Sequence, residues 1–594
     1  MDTAPDTEAL PRWRLEDLYG SPQAPELTSD LKKAADWAKD FQSRYKGKLA
    51  GLPGDDLAAA LADYEALSDL TGRIASYAGL LYYGDMSDEA IAGFYQNSME
   101  KLNDIGSDLL FFTLELNTLS DEVLAEKMTS EKLAHFKPWL DELRTFRPHQ
   151  LSDEIEQILH DKSVAGRTAW VRLYDETLSA LRCTVDGKDL TLAETLNLLS
   201  NRDGGKRERA AAALTSRLKE DSRLFALVTN TLIKDKEIED RWRKYASPAE
   251  SRHLANQVEK EVVDALAGAV ADAFPRLSHR YYALKAKWMG KEPLDYWDRN
   301  APLPEDADQK IRWSEAQDIV LNAYGDFSGT LSTIAKRFFD ESWIDAGPRP
   351  GKESGAFSHP TVPSAHPYIL MNFQGKARDV MTLAHELGHG VHQVLAAPQG
   401  ALMAGTPLTL AETASVFGEM LTFQSLLRRQ KDPVQRRVLV ASKIEDMLNT
   451  VVRQIAFHRF ETRLHDERRT GELSLSRIND IWLETQRESL GPSIRLSDGY
   501  EVLWGYISHF IHVPFYVYAY AFGDCLVNSL YAVYEEQPEG FEPKYLEMLK
   551  AGGTLRHKEL LAPFGLDASD PGFWAKGLSV IERFIDQLEA DLRA

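Results

Sequence analysis

The stretch His385-Glu386-Leu387-Gly388-His389 decides how this chain is read, because it puts two imidazoles and a carboxylate on a single helical turn. Residues four apart on an α-helix lie about 40° apart around its axis, so His385 and His389 can reach one ion. Glu386 projects beside them, within reach of a water near that ion. This HExxH spacing suits Zn²⁺, which takes neutral imidazoles and, in a catalytic site, keeps one position open. Val380, Leu383, Ala384, Leu387, Val391 and Leu395 recur three and four residues apart and predict a helix with one apolar face. The histidines and Glu386 fall on roughly the opposite face, with Gly388 a slim surface beside them. A solvated polar face would account for a lone histidine, but not for this set.

A four-coordinate catalytic zinc needs a third protein ligand. Beyond Pro398 and Gly400, the run Leu410-Ala411-Glu412-Thr413-Ala414-Ser415-Val416-Phe417-Gly418-Glu419 is apolar nearly all round and predicts a buried helix. Buried carboxylates need a cation or good donors. Glu412 is read as the third ligand, against the alternative that Thr409-Leu410-Ala411-Glu412 forms a capping box. Glu419, seven residues on, is read as an acceptor that orients a histidine N–H, with a structural salt bridge as the alternative.

Two further segments accompany these helices. Residues 344–378 carry Pro348, Pro350, Gly351, Gly355, Pro360, Pro363 and Pro367, which rule out a continuous helix. They end in Tyr368-Ile369-Leu370-Met371-Asn372-Phe373, a strand expected to hold an extended peptide by its backbone or only to pack the helix. The segment 499–520 carries His509, His512, Tyr516, Tyr518 and Tyr520. Pro514 suits a first helical turn and would set Tyr516 and Tyr520 on one face. An aromatic stripe is ordinarily core, and that reading fits Tyr518; phenol and imidazole groups near a metal can also stabilise an oxyanion.

Taken together, the zinc helix, the segment Ala411-Glu412-Thr413-Ala414-Ser415, the approach Gly355-Ala356-Phe357-Ser358, the aromatic run Pro514 to Ala521 and Trp13-Arg14-Leu15-Glu16-Asp17-Leu18-Tyr19 resemble the oligoendopeptidase F branch of the thimet oligopeptidase family. The resemblance spans nearly the whole chain, and its zinc motifs are the specific part. It implies a mainly α fold, two helical regions flanking a deep catalytic cleft and a small β element beside the zinc helix. It implies substrates that are short unstructured peptides, with the strand around Tyr368 lying alongside them. It also implies that a histidine and tyrosines of the 499–520 segment stabilise the oxyanion. His509 and Tyr516 are favoured for that role, with His512 and Tyr520 behind them.

Composition agrees. The 594 residues hold 69 basic and 91 acidic side chains, a formal charge of −22, which disfavours nucleic acid and anionic membranes as partners. Cys183 and Cys525 make no disulfide framework. The first thirty residues lack an apolar signal core, and the apolar stretch Val513 to Phe522 is too short to span a bilayer, so a cytoplasmic protein is expected. Amphipathic repeats such as Leu57, Leu61, Tyr64, Leu67 and Leu70 predict helices over 24–145, 150–181 and 206–245. Asp186-Gly187 predicts a hairpin or turn within Cys183 to Leu190. Asn201 to Gly205 is a second, polar break, and the expected boundary falls between the two, with an N-terminal helical domain, 1–200, and a catalytic domain, 201–594.

The expected enzyme is a zinc oligoendopeptidase with one Zn²⁺ per chain on His385, His389 and Glu412. Glu386 is the general base toward the attacking water, and Tyr516 and His509 meet the oxyanion. A carboxypeptidase or dipeptidyl carboxypeptidase on the same scaffold is the nearer alternative. A non-catalytic peptide-binding protein is the remoter one, because a binding module has no use for Glu386.

Overall fold

The computed structural model describes residues 10–304 and 310–593. The first nine residues of the expected N-terminal domain therefore lie outside the described residues, and every candidate site residue lies within them. The fold is mainly α, with short strands in three small sheets among the described residues. The chain forms two compact units, each built from three stretches. One comprises Met1–Arg147, Asp308–Arg429 and Glu536–Gly565, the other Pro148–Ala307, Gln430–Glu535 and Leu566–Ala594. The units thus interleave along the sequence, and a division at residue 200 coincides with neither.

The first unit opens with helices Pro25–Tyr45, Gly54–Gly84 and Glu89–Thr118. Pro25 starts one at a position where its missing N–H costs nothing, and the Asp88 carboxylate accepts the Ala90 and Ile91 amides to start another. Phe41, Leu57, Leu61, Phe112 and Leu116 fill the core between them. Tyr64 and Leu70, from the predicted apolar stripe, pack at its margin.

The proline-rich segment of this unit is held by a three-stranded sheet. Tyr368–Leu370 lies in its centre, parallel to Ile344–Asp345 and antiparallel to Phe357–His359, with Ser358 opposite Ile369. Because both its edges are used, Tyr368–Leu370 has no free backbone to offer a peptide. Tyr368 itself is fully buried, and its hydroxyl donates to the Arg14 carbonyl at 2.8 Å. The docking role expected for this strand is therefore corrected. The sheet edge beside the zinc-motif helix is Phe357–His359. A buried Lys352 ammonium ties the segment together by donating to the Asp345 carboxylate at 2.7 Å and to the carbonyls of Asp345, Gly347 and Met371.

In the second unit, Asp203 caps the long helix Gly204–Arg243, which joins helices Val452–Arg468 and Leu475–Leu490. Cys183–Val185 and Lys188–Leu190 form the hairpin, and positive φ at Asp186 and Gly187 makes its tight turn. No helix among the described residues is long and apolar enough to cross a membrane.

Candidate metal centre

The zinc-motif helix runs Ala377–Ala396. The Asp379 carboxylate fastens its start by accepting the Gln374 and Lys376 amides at 2.8 and 3.0 Å. Val380, Leu383, Ala384, Leu387 and Val391 are fully buried, with Leu395 nearly so, and the apolar face is the one the spacing predicts. The opposite face is set against the helix Thr413–Arg429 at unusually close range. A Cβ on Gly388 would lie 2.4 Å from the Ala414 carbonyl oxygen and 2.6 Å from the Ser415 Cα, so only glycine permits this approach.

Glu412 does not lie within one continuous helix as expected. The chain forms a short helix Leu408–Ala411, turns at Glu412 and resumes at Thr413. Thr409 falls inside the short helix, whose N-cap is Pro407, so the alternative capping box is not formed. Instead the Glu412 carboxylate accepts the Ser415 hydroxyl at 2.6 Å and turns the same oxygen toward both histidines. That Oε2 lies 3.4 Å from His385 Nε2 and 3.5 Å from His389 Nε2. The ligand atoms of all three residues lie within 4.8 Å of one another, and this is the one such group among the described residues.

Around this trio the remaining polar groups are ordered. Glu419 Oε2 is 3.3 Å from His385 Nδ1 and accepts that N–H, while Nε2 faces Glu412. The Ala411 carbonyl accepts from the His389 ring. Burial pushes His385 down, but the Glu419 hydrogen bond and the charges of Glu412, Glu386 and Glu419 outweigh it and raise it to about 9. Burial dominates at His389 and lowers it to about 4. Glu386 is 6% exposed, and burial lifts its carboxyl to about 7 although the Ser358 amide donates to it. Ser358 is fixed in turn by Gln393, whose amide donates to the Ser358 carbonyl at 3.2 Å and accepts from its hydroxyl at 2.9 Å.

A cavity of about 450 Å³ adjoins His389, lined among others by Val362, His366, His392, Gln393 and Ala411. Sequence reasoning missed Ser358, Gln393 and Ser415. The Gly355–Ser358 and Ala411–Ser415 stretches gave a signal for the two serines, and they did so through resemblance.

The aromatic candidates belong to the second unit. His509 opens a short helix ending at His512, and its Nε2 lies 3.4 Å from the Tyr520 hydroxyl. The Tyr516 ring stands 6.2 Å from that of His509 and 5.2 Å edge-on from Tyr520. His512 is drawn elsewhere, with Nε2 2.8 Å from Asp175 Oδ1, which makes it a partner of that carboxylate. Tyr518 is core, its hydroxyl held by Asn256 and His253. Pro514 does not start a helix; the next one begins at Tyr518, and Phe515 takes a left-handed backbone at φ +59°. A bulky residue there is strained by about 1–3 kcal/mol. Its amide is caught at 2.9 Å by the buried Glu461 carboxylate, a residue that sequence gave no reason to select.

Comparison with known proteins supplies the wider setting. A family model described as Peptidase family M3 matches residues 197–580, and one described as Oligopeptidase F matches residues 115–182. Oligopeptidase PepF of Bacillus subtilis (strain 168) is 26% identical over 603 residues, covering 98% of this chain and 88% of that protein. An oligoendopeptidase F homolog of Lactococcus lactis subsp. lactis (strain IL1403) is 26% identical over 586 residues, covering 95% and 96%. The crystal structure of oligoendopeptidase-F from Enterococcus faecium shares the fold, with a TM-score of 0.70, 22% identity and coverage of 96% and 98%.

Proposed function

The chain belongs to peptidase family M3 and is a metallo-oligopeptidase, and from that premise we propose that it is a zinc-dependent oligoendopeptidase acting on internal bonds of short unstructured peptides. The observation that carries the metal assignment is the spacing of the three ligand atoms. Two donors about 2.1 Å from one tetrahedral ion stand about 3.4 Å apart. The Glu412 oxygen lies 3.4 and 3.5 Å from the two imidazole nitrogens. His385, His389 and Glu412 would therefore hold the ion with little rearrangement. Bound there, Zn²⁺ supplies the Lewis acidity that makes a water acidic and a substrate carbonyl electrophilic.

The rest of the chemistry belongs to side chains. Glu386 accepts the proton of the attacking water and delivers it to the leaving amine, a task its burial-raised basicity suits. Glu419 keeps His385 in the tautomer that presents Nε2. The residues leading into Phe357–His359 are the proposed place for the peptide main chain, since Glu386 and Gln393 already take up the outward amide and carbonyl of Ser358, and the cavity beside His389 takes a side chain. On the strength of the sequence resemblance, His509 and Tyr516 donate to the oxyanion, with Tyr520 in support. The internal-cleavage reading draws on the relatives, which are named oligopeptidases and oligoendopeptidases. A cytoplasmic setting without nucleic-acid partners is part of the proposal, supported by the charge of −22 and by two unpaired buried cysteines.

The test combines metal analysis with turnover of an internally quenched peptide before and after chelation. About one zinc per chain, loss of cleavage on its removal and recovery on its return are expected. Full cleavage by metal-free protein would refute the assignment.

A further inference from the structure

In the second unit, the chain turns sharply over Val513–Tyr516, where the Tyr516 amide donates to the Val513 carbonyl at 3.1 Å. Pro514 takes the second position of this turn and Phe515 the third, with φ +59°. A turn with proline second and positive φ third asks for glycine or asparagine at that third position. A bulky side chain there crowds its own backbone, so Phe515 is poorly suited to it. Strain of this kind persists only where the surroundings over-determine the backbone, and it gathers at active sites.

Two groups hold the turn from outside. The Phe515 amide donates to Glu461 Oε1 at 2.9 Å. Arg252 Nε donates to the Pro514 carbonyl at 3.3 Å, and its guanidinium lies 5.8 Å from the centre of the Tyr516 ring. Glu461 projects from the helix Val452–Arg468, is 1% exposed, and has no hydrogen-bond partner at Oε2. Burying a carboxyl group is costly, and the Phe515 amide is what this one serves. Burial raises Glu461 to about 8, against the pull of that amide and of the Arg252 charge. The Phe515 ring enters the core, 4.7 Å from His465 and 6.2 Å from His458. Tyr516 is half-buried between the buried Phe515 and Val517, and its ring meets His509 and Tyr520 instead. The turn thus sends one ring inward and the next toward the candidate oxyanion groups.

We infer that Glu461, assisted by Arg252, is a positioning residue: through the Phe515 amide it fixes the turn that aims the Tyr516 hydroxyl. The inference rests on the oxyanion role proposed for Tyr516. Without the acceptor, the Phe515 N–H is left buried and unpaired, and the backbone relaxes toward the negative φ that phenylalanine prefers. The peptide plane leading to Tyr516 rotates with it. Misplacing a group by about 1 Å is enough to cost about 10²-fold in rate.

The test uses the purified, zinc-loaded full chain and an internally quenched peptide. Glu461→Met keeps the bulk of the side chain and removes the acceptor. Its kcat should fall about 10–10²-fold with KM within about threefold, because the contact it disturbs is made in the transition state. Glu461→Gln retains a carbonyl oxygen for the Phe515 amide and should recover most of that loss. In a Tyr516→Phe background, Glu461→Met should cost less than about twofold more, since the hydroxyl it aims has already gone. A Glu461 that only supports the fold would lower kcat by the same factor in both backgrounds, and that result overturns the inference. If Glu461→Met does not fold, Arg252→Met frees the same turn at the Pro514 carbonyl and is judged by the same pair of outcomes. If Tyr516→Phe alone leaves kcat unchanged, the oxyanion reading fails by itself, and the crystal structure of Glu461→Met decides the positioning. Phe515 at negative φ with a displaced Tyr516 ring sustains it; an unmoved Tyr516 ends it.

Discussion

At the scale of single residues, Glu386 separates chemistry from metal holding. Glu386→Gln keeps shape and leaves the three ligand atoms in place, so zinc content should stay near one per chain while kcat falls at least 10²-fold. Retention of more than about a tenth of wild-type kcat would remove Glu386 from the role of base. The same substitution has a signature in the metal-free protein. Burial lifts the Glu386 carboxyl from its ordinary 4.5 to about 7. A carboxyl raised on folding contributes fully below about 4.5, and that contribution is lost as pH climbs through 7. The amide of the variant cannot ionise. Chelator-treated wild type and variant should therefore melt alike near pH 4.5, with the variant ahead at pH 8 by no more than about 3 kcal/mol. A stability gap that does not widen with pH contradicts the assignment. Glu412 and Glu419 divide differently: Glu412→Gln removes a charged ligand and should strip zinc during dialysis against a mild chelator. Glu419→Gln only loosens the His385 tautomer and should weaken zinc about 10–100-fold. Equal zinc loss in both variants would mean that Glu419 binds the ion too. That His385, Glu386 and His389 share one turn of helix was legible in the sequence because spacing fixes it. The place of Glu412 and Glu419 beside them was an expectation drawn from what a zinc needs and not from spacing. What Ser358 and Ser415 touch was not legible, since it depends on turns and on a strand brought from elsewhere.

At the scale of elements, the site exists because two helices touch backbone to backbone. Gly388→Ala would drive a methyl group into the Ala414 carbonyl and the Ser415 backbone, atoms that cannot swing aside. The helix carrying Ser415, and with it Glu412, must shift away from the histidines. The expected cost is about 1–3 kcal/mol of stability. Zinc affinity should fall at least tenfold, although no ligand is altered. Thermal melts and competition with a chromogenic chelator would measure both, and unchanged zinc affinity would show that the ligand geometry does not depend on this contact. The helix around the histidines was readable because its apolar stripe keeps a 3.6-residue period over twenty residues. The strand Tyr368–Leu370 was readable as a strand, yet its place in the sheet was not. An apolar run that is buried on both faces looks the same at a sheet's centre as at its edge. The start of the helix near Pro514 was misjudged for a similar reason. Proline permits a first turn, but the buried Glu461 carboxylate holds Phe515 in a left-handed turn instead, and that contact spans 54 residues of sequence.

At the scale of the whole molecule, helical content and family membership were legible from the chain, whereas the two compact units were not. Each gathers three stretches, most of them separated by more than a hundred residues, and no local pattern records such pairings. The two family models leave a gap between residues 182 and 197, and the expected break near residue 200 lies just inside the second of them. The last prediction concerns the substrate as a whole. A strand edge reads main-chain groups at every position and is indifferent to distant ends, whereas an exopeptidase must pair a terminal charge. A peptide of about ten residues that is acetylated at one end and amidated at the other should therefore still be cut internally. Its kcat/KM should stay within roughly tenfold of that of the free peptide, because no buried terminal ion pair is lost. Mass spectrometry of the products locates the cut, and internal fragments released from the doubly blocked peptide are the expected outcome. If amidation of the carboxyl end alone abolished turnover, while acetylation of the amino end did not, the enzyme would be reading a terminal carboxylate, and dipeptidyl carboxypeptidase action would replace the endopeptidase reading.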